Sequence, residues 1–148
     1  MAEIQGTPTG VCKISILDLS TSQTAQRSGN YFVNQAASQL EAYFRKERNQ
    51  FEITTDVSGS EFQKNVWKIL DTIPYGKQVS YMDIANQMGD PKTIRAVANA
   101  NAKNPLWIVV PCHRVVGSDG SLTGYAGGLW RKKWLLEHES PVVQQSLW

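Results

Sequence analysis

Metal-ligating side chains are scarce in this sequence, which has two cysteines and two histidines in 148 residues. Structural zinc sites use four cysteine or histidine ligands, usually in closely spaced pairs. Cys12 and Cys112 lie far apart in the chain, and only His113 and His138 could join them. We therefore expect no metal and no cofactor. A reducing compartment also argues against a disulfide between the two cysteines.

Long apolar runs are missing as well. A membrane-spanning helix needs about 18 or more consecutive apolar residues. A signal peptide needs a basic start and an apolar core, which Met1 to Gly6 does not provide. The hydrophobic fraction of 41% and the charged fraction of 19% are typical of soluble globular proteins. We expect a monomeric cytoplasmic protein with no membrane partner.

Acidic residues are absent from one segment of a chain whose net charge is only +2. Between Pro91 and Arg114 there are four basic residues and no aspartate or glutamate. A basic patch of this kind suits a phosphate backbone, although a modest basic face is also common on solvated surfaces.

The first 56 residues indicate strands and one helix. A turn pattern, Thr7 to Gly10, precedes alternating apolar and polar residues from Val11 to Leu17, which predict a half-buried strand with Cys12 as a small core residue. The polar stretch from Ser20 to Asn30 predicts a loop. Helical spacing from Tyr31 to Lys46 predicts an amphipathic helix whose apolar face carries Val33, Ala37, Leu40 and Phe44.

Composition changes after Val57, and we place a domain boundary there. Apolar residues from Phe62 to Leu70 predict a helix that ends before the turn Pro74 to Gly76. Residues 1–56 are expected to form a small α/β domain and residues 57–148 a mainly helical domain. The predicted fold class is therefore α+β.

A helix-turn-helix is predicted next. Ser80 and Asp83 form a capping box, and Gly89 suits the C-terminal cap of the short helix that they begin. Asp90 and Pro91 are typical of the start of a second helix, which runs to about Ala102.

The second of these helices is slim, because every other residue from position 96 to 102 is alanine. Close packing against another helix would explain such a surface. An exposed Arg95 on a thin, acid-free helix also suits contact with DNA.

The segment Trp107 to Val110 predicts a short buried strand that delivers Cys112. A glycine-rich stretch, residues 117–128, follows it, and Leu129 to Glu139 predicts the last helix.

Cys112 and His113 together allow nucleophilic chemistry, since a cysteine reacts as its thiolate and an ordinary thiol needs a base at neutral pH. Neighbours on a strand face opposite sides, so contact between them requires a turn or a bridging water. Glu139 is the candidate carboxylate to orient the imidazole. A buried thiol beside a hydrogen-bonded core histidine is the alternative that this pair alone leaves open.

The stretch Pro111 to Val115, PCHRV, resembles the signature of the O6-alkylguanine-DNA alkyltransferases, the methylated-DNA:protein-cysteine methyltransferases. Agreement continues in order through residues 62–139. It includes Ile73-Pro74-Tyr75-Gly76, Ser80-Tyr81, Arg95-Ala96-Val97, Asn104-Pro105 and Tyr125-Ala126-Gly127-Gly128-Leu129.

This resemblance implies direct-reversal DNA repair, in which Cys112 takes the alkyl group from O6-alkylguanine, with O4-alkylthymine as a further candidate substrate. His113 would act as base through a water, Glu139 would hold His113, Asn104 would brace the active-site turn, and Tyr81 would donate to the purine. The thioether product resists hydrolysis, so each molecule would react once.

The resemblance also implies binding to double-stranded DNA mainly through the minor groove, in the cytoplasm, nucleoid or nucleus. The implied DNA-binding residues are Arg95, Tyr81, Ser80, Ala96, Lys92 and Asn99. Arg95 would fill the space left by a nucleotide rotated out of the duplex. The guanine would be held by Val115, Tyr125, Ala126 and Gly127.

Relatives usually have a further strand before the one at Ile4 to Gly6, which would make the N-terminal domain short. Three alternatives remain open. A non-catalytic alkyltransferase-like lesion binder would lack the acceptor thiol. A helix-turn-helix transcription regulator would find few base-reading side chains on the 91–102 helix. A cysteine hydrolase would need a nucleophile elbow, which the PCHRV segment does not resemble.

Overall fold

The computed structural model describes residues 2–16 and 29–140. Within these ranges the chain forms five α-helices and two small two-stranded sheets, which confirms the predicted α+β class. The strands are β1 (Ala2–Thr7), β2 (Gly10–Ile16), β3 (Val79–Ser80) and β4 (Val115–Val116). The helices are α1 (Tyr31–Phe44), α2 (Glu61–Leu70), α3 (Tyr81–Gln87), α4 (Ile94–Ala102) and α5 (Leu129–Glu139).

Strands β1 and β2 form an antiparallel hairpin around the predicted turn. The pairing shifts between Gln5 and Gly6, so that Gly6 lies opposite Val11 and Cys12 is the extra residue of a bulge. Val11 is therefore fully buried, whereas Cys12 is only half-buried, and its prediction as a core residue is wrong. The predicted strand end at Leu17 and most of the predicted loop from Ser20 lie outside the described residues.

Helix α1 begins at an Asn30 cap, whose side-chain oxygen accepts from the backbone N–H groups of the first turn. It ends at Phe44, two residues before the predicted Lys46, whose backbone φ of 61° lies in the left-handed region. The buried face also differs from the prediction. Tyr43 is fully buried, and its neighbour Phe44 is 36% exposed.

Helices α3 and α4 form the predicted helix-turn-helix. Ser80 and Asp83 make both hydrogen bonds of the capping box, and Gly89, two residues beyond the end of α3, takes a φ of 93°. The second helix does not run continuously from Pro91. A 3-10 turn, Pro91–Thr93, comes first, because Asp90 caps that turn by accepting from the Lys92 N–H.

One hydrophobic core joins residues from both predicted domains. It includes Val11, Ile14, Leu40 and Tyr43 from the first segment and Val66, Leu70, Ile84 and Leu135 from the second. The backbone of Ile14 also bonds to the segment that follows α4, donating to Pro105 O at 2.8 Å and accepting from Trp107 N at 3.2 Å. The boundary after residue 56 stays a prediction. No described helix has the length and apolar character needed to cross a membrane.

Candidate active site around Cys112

The segment before Cys112 is a turn, so the predicted strand from Trp107 to Val110 is wrong. Ile108 has a φ of 74°, and the Val110 N–H donates to Leu106 O at 3.0 Å. The Asn104 side chain stabilises this shape by accepting from Leu106 N at 3.0 Å and donating to Val110 O at 2.7 Å. These local bonds close the turn, and they outweigh the strand preference of the β-branched residues.

A second turn holds the reactive pair. Residues Cys112–Arg114 form a single 3-10 turn after Pro111, and β4 then pairs in parallel with β3, which leads into α3. Cys112, His113 and Arg114 are 3%, 0% and 6% exposed. The sequence therefore delivers the thiol and the imidazole on a tight turn, in the core of the protein.

Glu139, at the end of α5, collects hydrogen bonds from three side chains. His113 Nε2 lies 2.7 Å from Oε2, and the Tyr43 hydroxyl donates to the same oxygen at 2.6 Å. Arg114 donates from Nε to Oε1 at 2.8 Å and from Nη2 to Oε2 at 3.0 Å. Burial alone would raise the pKa of Glu139, but the bonds from His113 and Arg114 lower it to about 2. The carboxylate is therefore ionised at neutral pH.

The contact with Glu139 fixes the histidine tautomer. An ionised carboxylate only accepts, so the proton of a neutral His113 lies on Nε2 and the lone pair on Nδ1. Burial lowers the pKa of His113, against the opposing effect of Glu139. Nδ1 is buried and has no hydrogen-bond partner among the described residues. This nitrogen is thus available as a base.

The Cys112 thiol needs such a base. Burial raises its pKa to about 11, although a hydrogen bond from Asn104 and the charge of Lys132 act in the opposite direction. A thiol with this pKa is almost entirely protonated at neutral pH.

Lys132 of α5 is an ionisable group near the thiol that sequence reasoning missed. It is fully buried, and its Nζ donates to Thr123 O at 2.8 Å and lies 3.5 Å from the Tyr81 hydroxyl. Burial lowers its pKa to about 8, and Cys112 partly opposes that shift. Spacing offered a signal, because residues 132, 135 and 139 share one face of a helix.

Two tyrosines lie near the thiol. The Tyr81 hydroxyl donates to Thr123 O at 2.9 Å, and the hydroxyl of Tyr125 is buried with no partner among the described residues. Burial raises the pKa of both phenols, and the negative charge of a Cys112 thiolate would raise it further. Each phenol is therefore protonated at neutral pH and can donate a hydrogen bond. The Tyr125 ring packs against Trp107, with centroids 5.6 Å apart.

The remaining residues assigned to the base site surround this group. Val115 and Gly127 are buried, whereas Ala126 is exposed. A Cβ on Gly127 would lie 2.8 Å from the Tyr125 ring and 2.9 Å from the Trp107 ring, so the backbone approaches both rings closely.

Helix α4 presents different chemistry on its two faces. The residues assigned to DNA on this helix and its leading turn are all exposed, namely Lys92, Arg95, Ala96 and Asn99, while Ser80 is half-buried. On the opposite face Asn101 is 1% exposed, and its Nδ2 lies 3.4 Å from the carbonyl of Cys112. The exposed basic face therefore lies one helix thickness from the thiol turn.

Comparison with known proteins gives consistent matches. The family model for the DNA-binding domain of 6-O-methylguanine DNA methyltransferase matches residues 61–141. The methylated-DNA–protein-cysteine methyltransferase of Mycobacterium leprae is 54% identical over 113 residues, which are 76% of this chain and 68% of that protein. The protein of the same name from Mycolicibacterium paratuberculosis is 57% identical over 104 residues, 70% of this chain and 63% of that protein. The alignments thus span about two thirds of these relatives.

A solved structure also matches. The crystal structure of Mycobacterium tuberculosis OGT in complex with DNA superposes with a TM-score of 0.82 and 42% identity, over 93% of this chain and 85% of that chain. Among the described residues, no three histidine, cysteine, aspartate or glutamate side chains are placed to share a metal ion.

Proposed function

Because the chain belongs to the 6-O-methylguanine DNA methyltransferase family, we propose that it repairs alkylated DNA by moving the alkyl group from guanine O6 to Cys112. The observation that carries the proposal is the buried Cys112 thiol on a turn with His113, whose imidazole pairs with Glu139 of α5. The same turn contacts the inner face of the exposed basic helix α4.

The transfer exchanges one covalent bond for another. The Cys112 thiolate attacks the alkyl carbon, a carbon–sulfur bond forms, and the bond to O6 breaks with its electron pair left on the guanine. The thiol proton passes to His113 Nδ1 through a water, and Glu139 stabilises the imidazolium that forms. The unpartnered Nδ1 and the raised thiol pKa support this assignment. Each molecule reacts once, because a thioether has no good leaving group.

Donors around the base would stabilise the departing guanine anion. We assign this role to the Tyr81 hydroxyl, with Asn104 keeping the turn in place. Tyr125, Ala126 and Gly127 would close over the base, and the carbonyls of Cys112 and Val115 would accept from its exocyclic amine. The buried hydroxyl of Tyr125 has no hydrogen-bond partner among the described residues. This supports a pocket in which the bound guanine would supply that partner.

The DNA is approached by α4. Guanine O6 is inaccessible inside a stacked duplex, so the nucleotide must rotate out at a cost of a few kcal/mol. Arg95 would fill the space that the rotated nucleotide leaves, and the small Ala96 would allow α4 to approach the minor groove closely. The DNA phosphate backbone would be contacted by Lys92, Asn99 and Ser80.

We further propose that the protein acts as a monomer in the compartment that holds the DNA. The match from residue 61 onward supports a separate domain beginning near residue 57.

Mass spectrometry of the protein after incubation with duplex DNA containing O6-methylguanine tests the acceptor. The peptide holding Cys112 should gain one methyl group, and Cys112→Ala should bind the DNA without gaining it. No mass gain would favour a lesion binder or a transcription regulator, and a gain on Cys12 would refute the assigned acceptor.

Arg95→Ala tests the DNA face. It should slow methyl transfer from duplex DNA by about tenfold or more, the equivalent of about 1.4 kcal/mol. Reaction with free O6-benzylguanine should stay within about twofold, because a free base needs no extrusion. Lys68→Ala, which removes an exposed charge from α2, is the matched control. Equal slowing on both substrates would contradict the role of Arg95.

A further inference from the structure

Glu139 accepts a hydrogen bond from far outside the turn that carries the thiol. Tyr43 lies on α1, 96 positions earlier in the chain, and its hydroxyl donates to Oε2 at 2.6 Å. It also precedes the segment matched by the family model. The N-terminal segment thus places one polar group directly on the carboxylate that holds His113.

The Tyr43 ring is rigidly held. It is fully buried, and its centroid lies 5.6 Å from that of Phe51, 6.2 Å from that of Tyr75 and 5.1 Å from that of His138. A side chain fixed in this way keeps its hydroxyl on one carboxylate oxygen. Burial, followed by the charge and hydrogen bond of Glu139, raises the pKa of Tyr43 well above its usual range, so the hydroxyl remains a donor.

We propose that Tyr43 is a positioning residue for alkyl transfer, which sets the charge and orientation of Glu139 and thereby keeps His113 neutral and ready to accept a proton on Nδ1. This inference rests on the proposed function. Oε2 accepts from Tyr43, His113 and Arg114, so the three donors share its negative charge. Without the Tyr43 bond, more charge would act on His113.

The sign of the effect follows from this sharing. A carboxylate that loses a donor attracts the imidazole proton more strongly, and the pKa of His113 then rises toward neutral pH. A larger fraction of molecules would carry a proton on both ring nitrogens, and these could not accept the thiol proton. The other ionisable groups around His113 stay in place in such a variant: Glu139 and Lys132 on α5, Arg114 and Cys112 on its own turn, and Tyr75 and Asp71 near Arg114.

Tyr43→Phe tests the proposal, because it removes the hydroxyl and keeps the ring. The rate of Cys112 alkylation by free O6-benzylguanine, followed by intact mass, should fall about three- to tenfold on the acid side of its pH profile. The acid limb should move toward higher pH by up to roughly one unit. The two proteins should converge at alkaline pH. An unchanged profile, even with lower stability, would overturn the proposal.

Tyr75→Phe is the matched control. It removes a hydroxyl from the same aromatic cluster, but that hydroxyl lies 3.4 Å from His138 O and does not touch Glu139. Its rate and pH profile should match those of the unmodified protein. A shift equal to that of Tyr43→Phe would mean that loss of packing, and not the bond to Glu139, changes the rate.

An NMR titration of His113 separates this inference from the proposed function, because it needs no turnover. His113→Gln identifies the resonance among the two histidines of the chain. Tyr43→Phe should raise the measured pKa of His113, and an unchanged pKa would refute the inference even if alkylation proceeds. Absence of alkylation in the unmodified protein would refute the proposed function alone. Trimethylamine N-oxide, an osmolyte that favours the folded state, is added to all proteins in both measurements so that a weakened variant stays folded.

Discussion

Gly127→Ala should damage both stability and reactivity, for a reason that lies in the distances around one backbone atom. The new Cβ would lie 2.8 Å from Tyr125 Cε2 and 2.9 Å from Trp107 Cζ3. Carbon atoms pack best at about 3.5 to 4.0 Å, so both rings would have to move. The Tyr125 and Trp107 rings pack against each other, so moving both of them would change the shape of the proposed base pocket.

The magnitude comes from two opposing effects. Forcing an extra carbon into a packed region costs about 1 to 3 kcal/mol. Alanine has less conformational freedom than glycine in the unfolded chain, and this stabilises the folded protein by about 0.4 to 1 kcal/mol. Gly127 is not among the glycines with positive φ, so the backbone itself accepts alanine. We expect a net loss of about 1 to 2 kcal/mol.

Urea unfolding followed by tryptophan fluorescence measures this loss as a lower midpoint at unchanged slope. Alkylation by free O6-benzylguanine should slow in parallel, because the displaced Tyr125 ring lines the proposed pocket. Gly29→Ala is the control, since a Cβ there would meet no atom of the described residues within 4 Å, its chain neighbours aside. A Gly127→Ala protein as stable and reactive as the original would show that the two rings are free to move, and the reasoning would fail.

Two further predictions concern charge and backbone strain. Lys132→Met should slow alkylation of Cys112 at neutral pH by about threefold or more, because loss of a cation raises the thiol pKa. An equal or faster rate by intact mass would contradict this. Lys46→Gly should raise the free energy of unfolding by about 0.5 to 1 kcal/mol, because the exposed Lys46 has a φ of 61°. A lower urea midpoint would disprove that account.

Local signals were predicted well from the sequence. The capping box of Ser80 and Asp83, the glycine cap at Gly89 and the bounds of α5 depend on residues within a turn or two of each other. Their chemistry can therefore be read from spacing alone. The turn between β1 and β2 was predicted for the same reason, because its signal lies in neighbouring residues.

The turn before Cys112 was predicted wrongly because two local effects compete there. Isoleucine and valine prefer strands, and a positive φ at Ile108 is unfavourable for a β-branched residue. The Asn104 side chain overrides both preferences by bonding to Leu106 and Val110. Composition gave no measure of how these energies would balance.

Tyr43 and Lys132 were missed for a different reason. Tyr43 meets Glu139 across 96 positions, and Lys132 meets Tyr81 across 51, so only the packed core brings these groups together. Periodicity can place each residue on the inner face of its helix, but it does not reveal what lies opposite. Residue types alone gave Glu139 as the candidate partner of His113 and the family resemblance agreed, but neither named Tyr43 or Lys132.

Burial also governs how long Cys112 survives between encounters with damaged DNA. Oxidants attack thiolates, and a thiol with a pKa of about 11 that is 3% exposed offers them almost none. Cys12, at the hairpin bulge, is half-buried and more accessible. Mild peroxide should therefore oxidise Cys12 before Cys112. A molecule that can act only once would then keep its reactive sulfur through oxidative stress.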